Sequence, residues 1–126
     1  MSNKSNYFSR TPQSKDNWET PPSFFRSLNS IFHFTLDACA TKENTKCNKY
    51  YTKEQNGLLQ NWANERVFVN PPFKEKQVWI KKAYIEAQKD NTIVVMILPP
   101  RTDTNIWHEY VMKAKEIWLC VVRINF

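Results

Sequence analysis

The sequence predicts an α/β sandwich built around a mostly parallel sheet. Segments in which apolar residues recur with helical spacing alternate along the chain with short apolar runs, and this alternation is typical of α/β domains. The run TIVVMIL at residues 92–98 is continuous and rich in β-branched side chains. Such a run is expected for a strand that is buried on both faces of a parallel sheet.

Three segments are predicted to be helices, near residues 21–32, 74–90 and 102–115. The first follows Thr20, which can cap a helix, and Pro21, which suits a first helical turn. Each segment has one apolar face that would lie on the core. The residues of these faces are Phe24, Phe25, Leu28, Ile31 and Phe32, then Ile80, Ala83, Tyr84 and Ala87, and then Ile106, Trp107, Tyr110, Val111 and Ala114.

The predicted strands are residues 34–36, 66–69, 92–98 and 116–122. Residues 41–65 are polar and irregular, with a turn and a small apolar anchor in NGLLQNW. The length of 126 residues fits one domain. We expect residues 1–17 to form a flexible, polar and basic arm and residues 18–126 to form the folded domain.

Composition narrows the function classes. The net charge of +6, from 18 Lys and Arg against 12 Asp and Glu, suits a polyanionic partner such as nucleic acid, although a solvated basic surface explains it equally well. The single glycine excludes a glycine-rich phosphate loop. Three cysteines without a CxxC pair and two histidines argue against a zinc site or a disulfide framework. With no signal peptide and no long apolar run, we expect a cytosolic protein without a membrane segment.

Distinctive groups follow three of the predicted strands: Asp37, the sequence Asn70-Pro71-Pro72-Phe73, and the segment from Pro99 to Asp103. Ligands of parallel sheets bind beyond the carboxyl ends of the strands, so these groups would converge on one edge.

The sequence Asn-Pro-Pro-Phe has the groups needed to hold a planar ring that carries an amino nitrogen. The amide of Asn70 offers an acceptor oxygen, a carbonyl before proline offers another, and Phe73 can stack on the ring. Two acceptors would draw on the amino hydrogens of a poor nucleophile, such as the exocyclic amine of adenine, and help its nitrogen to attack an activated methyl group. The structural alternatives are that Asn70 merely ends a strand, that Asp37 caps a turn and that Arg101-Thr-Asp-Thr caps a helix.

Taken together, the motifs resemble the family of phage-type DNA N6-adenine methyltransferases that use S-adenosylmethionine. Asn-Pro-Pro-Phe is similar to the (D/N/S)-P-P-(Y/F/W) motif of amino-group methyltransferases, and further motifs agree in the same order from about residue 17 to the C-terminus. They are W-x-TPxxFF at 18–25, FTLDACA at 34–40, GLLQNW at 57–62, VFVNPPF at 67–73 and PPRTDTNIWHEY at 99–110.

The resemblance implies a Rossmann-like S-adenosylmethionine-dependent methyltransferase fold and site-specific methylation of double-stranded DNA at adenine N6. It implies direct transfer to a base that has left the helical stack, without a metal, and a phage- or prophage-encoded protein in the bacterial cytoplasm. The residues that it implicates are Thr20, Pro21, Asp37, Ala38, Cys39 and Ala40 for the cofactor, Asn70, Pro71, Pro72 and Phe73 for catalysis, and Arg101, Thr102 and Asp103 for the substrate.

The resemblance also leaves alternatives. The family normally continues beyond the position of Phe126 into further sheet, so we expect a domain that is shortened at its C-terminus. An inactive remnant that binds only nucleic acid or cofactor is one alternative. Methylation of a protein glutamine is another, because the motif can also hold a carboxamide nitrogen. The positive charge and the order of the motifs favour DNA.

Overall fold

The computed structural model describes residues 20–119. Within these residues the sheet has four strands: β1 Leu36–Asp37, β2 Lys49–Tyr50, β3 Arg66–Val69 and β4 Ile93–Met96. Their order in the sheet is β2-β1-β3-β4, and every neighbouring pair is parallel. The predicted α/β fold with a parallel sheet is therefore confirmed. Because β1 lies between β2 and β3, the strand order changes direction there, and such switch points are where ligands bind in open parallel sheets.

Within residues 20–119, three helices accompany the sheet: α1 Pro22–Phe32, α2 Lys76–Ala87 and α3 Asn105–Glu109. Each lies within a predicted helical segment but is shorter. Short 3-10 turns cover Gly57–Leu59, Phe73–Glu75 and Val111–Lys113. No helix within residues 20–119 is long and apolar enough to cross a membrane.

The core is divided between the two faces of the sheet. Side chains alternate along a strand, so Val67 and Val69 of β3 point to one face and Phe68 to the other. The first face carries the cluster Leu36, Ala38, Trp62, Val67, Val69, Trp79 and Ala83, and the second carries Phe25, Leu28 and Phe68. Helices α2 and α1 therefore cover opposite faces, as in a three-layer sandwich.

Several predicted helix details are wrong. Thr20 does not cap α1: the position before the helix is Pro21, and no side chain caps that end. The buried stripe of α2 runs through Trp79, Ile80, Ala83 and Glu86, whereas Ala87 is exposed. In α3 only Trp107 is buried, because the helix ends at Glu109 and a 3-10 turn follows.

The strand predictions also need correction. Strand β2 was not predicted, and β1 begins two residues later than expected. Strand β4 is half-buried rather than buried on both faces, because it is the outer strand of the described sheet. Residues 116–119 are exposed and form no strand. The rest of the predicted last strand and the arm at residues 1–17 lie outside the described residues.

Candidate functional site

A cavity of about 630 Å³ lies at the carboxyl ends of β1 and β3. This volume falls within the roughly 300–1,000 Å³ of small-molecule sites, and the position is the switch point of the sheet. Asp37 is the last residue of β1 and Asn70 directly follows β3, so two of the three predicted strand ends meet here. The predicted site residues that line the cavity are Thr20, Asp37, Ala38, Cys39, Ala40, Asn70 and Pro72.

The carboxamide of Asn70 is oriented by a residue 50 positions earlier in the chain. Its Nδ2 donates a hydrogen bond to Thr20 Oγ1 at 3.1 Å. Thr20 is only 2% exposed, so the bond is shielded from water. Because Thr20 holds the nitrogen side of the amide, the oxygen lies on the opposite side. The hydroxyl that was predicted to cap α1 therefore positions a residue of the cavity.

Asp37 places a buried carboxylate in the lining of the same cavity. It is 3% exposed, and its Oδ2 accepts a hydrogen bond from the backbone N–H of Lys46 at 3.0 Å. Burial raises the pKa of Asp37 to about 6, although backbone hydrogen bonds from Lys46 and Cys39 and the charge of Lys46 act in the opposite direction. The carboxyl group thus changes charge close to neutral pH.

We expect Asp37→Asn to flatten the pH dependence of stability. The folded-state pKa of Asp37 is raised, so its stabilising contribution is complete below its ordinary pKa of 3.8 and is lost as pH rises through about 6. Between pH 5 and pH 8, wild type should lose about 1.4 kcal/mol relative to the variant. Urea unfolding at both pH values measures this. Asp90→Asn, on an exposed carboxylate, is the matched control and should behave as wild type. An Asp37→Asn protein that follows wild type across this range would contradict the assignment.

The two cysteines near Asp37 are protonated thiols. Burial, followed by the negative charge of Asp37, raises the pKa of both Cys39 and Cys47 to about 12. A thiol, unlike a thiolate, is a poor nucleophile. Cys39 therefore contributes to the cavity through its shape and its backbone.

Gly57 is a cavity residue that the sequence analysis missed. A Cβ atom built on it would lie 2.2 Å from the carbonyl oxygen of Ala38 and 3.1 Å from the ring of Trp79. Only glycine therefore allows the turn at Gly57–Leu59 to approach the end of β1 so closely. The composition could have indicated this residue, because the one glycine of the sequence lies at a position where no side chain fits.

A chain of hydrogen bonds ties Gly57 to α2. The indole Nε1 of Trp62 donates to the carbonyl of Gly57 at 3.0 Å, and the backbone N–H of Trp62 donates to Glu86 Oε1 at 2.7 Å. Glu86 also accepts from Lys82 and Lys89, each at 2.8 Å. The motif GLLQNW, for which the sequence predicts a turn and a small apolar anchor, thus connects α2 to the cavity wall.

The remaining predicted site residues are arranged differently. Pro21, Pro71 and Phe73 do not line the large cavity. Phe73 is 46% exposed, and the ammonium of Lys76 lies 4.4 Å from its ring centroid. The predicted substrate residues Arg101, Thr102 and Asp103 are exposed. Of these, Arg101 lines a second, smaller cavity, so the third strand end reaches the same edge but not the same pocket.

The parallel sheet, its helices on both faces and the cavity at the switch point together have the architecture of a Rossmann-like methyltransferase. Comparison with known sequences is more specific. The sequence model of the DNA N-6-adenine-methyltransferase (Dam) family matches residues 8–126, and the chain belongs to this family.

Two phage proteins illustrate the relationship. The chain is 35% identical over 108 residues to the DNA N-6-adenine-methyltransferase of Escherichia phage T1, which covers 83% of this chain and 45% of that protein. It is 34% identical over 105 residues to the protein of the same name from Haemophilus phage HP1, which covers 82% of this chain and 61% of that protein. The chain thus spans about half the length of these relatives. No solved structure matches it significantly.

Proposed function

We propose that this chain methylates adenine N6 in double-stranded DNA at specific sites, with S-adenosylmethionine as the methyl donor. The observation that carries the proposal is that Asp37 and Asn70 line one cavity at the switch point of the sheet. Membership of the family and the names of the phage relatives support the same reaction.

The cavity has a wall suited to a bound cofactor. Ala38 and Ala40 have small side chains. Because Gly57 has no side chain, its backbone can approach the backbone carbonyl of Ala38 closely. Asp37 adds a carboxylate that can accept hydrogen bonds from hydroxyl groups. We assign Thr20 and the segment from Asp37 to Ala40 to cofactor binding. S-adenosylmethionine, when bound, supplies an activated methyl group.

The target base would be held by the segment after β3. The Oδ1 atom of Asn70 is the acceptor assigned to the adenine amino group, and Thr20 fixes the amide by holding Nδ2. Pro71 and Pro72 stiffen the backbone, and Phe73 offers an exposed ring for stacking. The base must leave the duplex to reach this pocket. These residues act by positioning and polarising the amine.

The test is transfer of a labelled methyl group to unmethylated duplex DNA, with Asn70→Ala beside wild type. We expect label on adenine N6, and a loss of roughly 100-fold or more in the variant, the size seen when one preorganised polar group is removed from an active site. Asn48→Ala, on an exposed asparagine before β2, is the matched control and should retain activity. A folded protein that binds S-adenosylmethionine but labels no adenine would contradict the proposal, as would label on a protein glutamine only.

A further inference from the structure

The second cavity lies on the other side of the first turn of α2. It has a volume of about 170 Å³, and its lining includes Lys76 and Gln77 from α2 and Leu98, Pro99 and Arg101 from the segment after β4. It shares no lining residue with the large cavity. Among the described residues that line it, two are cations and none is a carboxylate. The proposed function so far gives this cavity no role.

The charges of this cavity are only weakly compensated. The Nε atom of Arg101 pairs with Asp103 at 3.5 Å, but both side chains are more than half exposed, and exposed pairs of this kind contribute little. The pair engages Nε, whereas recognition of phosphate by arginine commonly uses the terminal nitrogens as well. The cavity therefore presents net positive charge to an incoming anion.

Lys76 links this cavity to the segment that would hold adenine. Its side chain lines the cavity, and its ammonium lies over the ring of Phe73 at 4.4 Å from the centroid. The same ring would have to receive a base on one of its faces. An anion in the cavity would give the Lys76 ammonium a stronger partner than the ring. When the ammonium moves from the ring to the anion, it uncovers that face of Phe73.

The size of the cavity limits what can bind. At the roughly 30 Å³ that a water molecule takes in the liquid, about 170 Å³ holds five or six heavy atoms. A phosphodiester group has one phosphorus and four oxygens, whereas a nucleoside is far too large.

We propose that Lys76 and Arg101 bind one backbone phosphate of the DNA beside the target adenine in this cavity. The inference rests on the proposed function and adds a specific positioning site to it. Binding of the phosphate draws Lys76 away from Phe73. The same contact that positions the DNA strand therefore also exposes the Phe73 ring for stacking on the base.

The first test measures DNA affinity by fluorescence anisotropy as a function of salt, without any need for turnover. Lys76→Gln and Arg101→Gln should each weaken binding about five- to tenfold and reduce the slope of log K against log salt by about 0.9, the value for one phosphate. Because the two residues are proposed to hold the same phosphate, the slope of the double variant should also fall by about 0.9 and not by twice that value. Lys81→Gln, on an exposed lysine of the same helix, is the control.

The second test removes the phosphate charge instead. Each phosphate flanking the target adenine is replaced in turn by an uncharged methylphosphonate. One position should weaken binding to wild type while leaving the double variant unaffected. The inference is overturned if every methylphosphonate position changes the DNA affinity of the double variant as much as that of wild type. It is also overturned if Lys76→Gln and Arg101→Gln bind DNA as tightly as Lys81→Gln does. The methyltransferase proposal stands in both cases.

The remaining outcomes are equally distinct. Wild type that binds no DNA at all would overturn both proposals. A third outcome is that wild type binds inorganic phosphate saturably, that the double variant does not, and that the double variant still binds DNA as wild type does. This result would identify a site for a free anion and overturn the assignment to DNA.

Discussion

Replacing Gly57 with alanine is expected to lower the free energy of unfolding by about 3 kcal/mol, the upper end of the usual cost of overpacking. The added Cβ would lie 2.2 Å from the carbonyl oxygen of Ala38, which is backbone and cannot rotate away. Ala38 is fully buried between β2 and β3 and donates its N–H to Phe68. The turn or the end of β1 must therefore shift, and both line the cavity proposed to hold the cofactor.

Urea unfolding and calorimetric titration with S-adenosylmethionine measure the two consequences together. The variant should unfold at lower denaturant concentration, and the fraction that remains folded should bind the cofactor at least tenfold more weakly. Leu59→Ala removes a neighbouring side chain that is 80% exposed and should change stability by no more than about 0.5 kcal/mol. Wild-type stability in Gly57→Ala would show that the turn does not approach Ala38 as described.

The parts of the site that sequence predicts are those encoded locally. The apolar run of β3 and the Asn-Pro-Pro-Phe that ends it are contiguous, so both the strand and the position of Asn70 follow from neighbouring residues. Asp37 was also placed correctly at the end of a strand. Parallel strands align their carboxyl ends, and this rule alone brings Asp37 and Asn70 to one edge.

The features that sequence did not predict depend on contacts between distant residues. The bond between Thr20 and Asn70 spans 50 positions, and a local rule assigned Thr20 to a helix cap instead. Strand β2 has only two residues, one of them a lysine, so it has no apolar pattern to detect. It forms because Tyr51, the residue after it, donates its backbone N–H to the carbonyl of Asp37 and accepts a hydrogen bond from the backbone N–H of Ala40.

The buried face of α2 differs from its prediction for a related reason. Apolar spacing predicts an inward face that includes Ala87, whereas the structure buries Glu86, a residue type that is rarely buried without partners. In the fold, Lys82, Lys89 and the N–H of Trp62 provide those partners. Helical spacing correctly places Lys82 and Lys89 beside Glu86, but only the tertiary structure brings Trp62 to it.

Glu86→Gln is expected to lower the free energy of unfolding by about 3 kcal/mol at pH 7. Lys82 is 15% exposed and would lose its buried counter-charge, and breaking such a pair from one side costs about 3–5 kcal/mol. Glutamine keeps the acceptor for the Trp62 N–H but also introduces an amide N–H2 facing two ammonium groups. The exposed Glu109→Gln is the control and should be close to neutral.

The pH dependence of this difference distinguishes a charge effect from a packing effect. Burial alone would raise the pKa of Glu86, but hydrogen bonds from Lys82, Lys89 and the Trp62 N–H outweigh it and lower the pKa to about 2. A lowered pKa means stabilisation that is complete above the ordinary value of 4.5 and lost as pH falls through about 2. The gap between wild type and Glu86→Gln should therefore narrow from pH 7 to pH 3. A gap of constant size would assign the loss to packing.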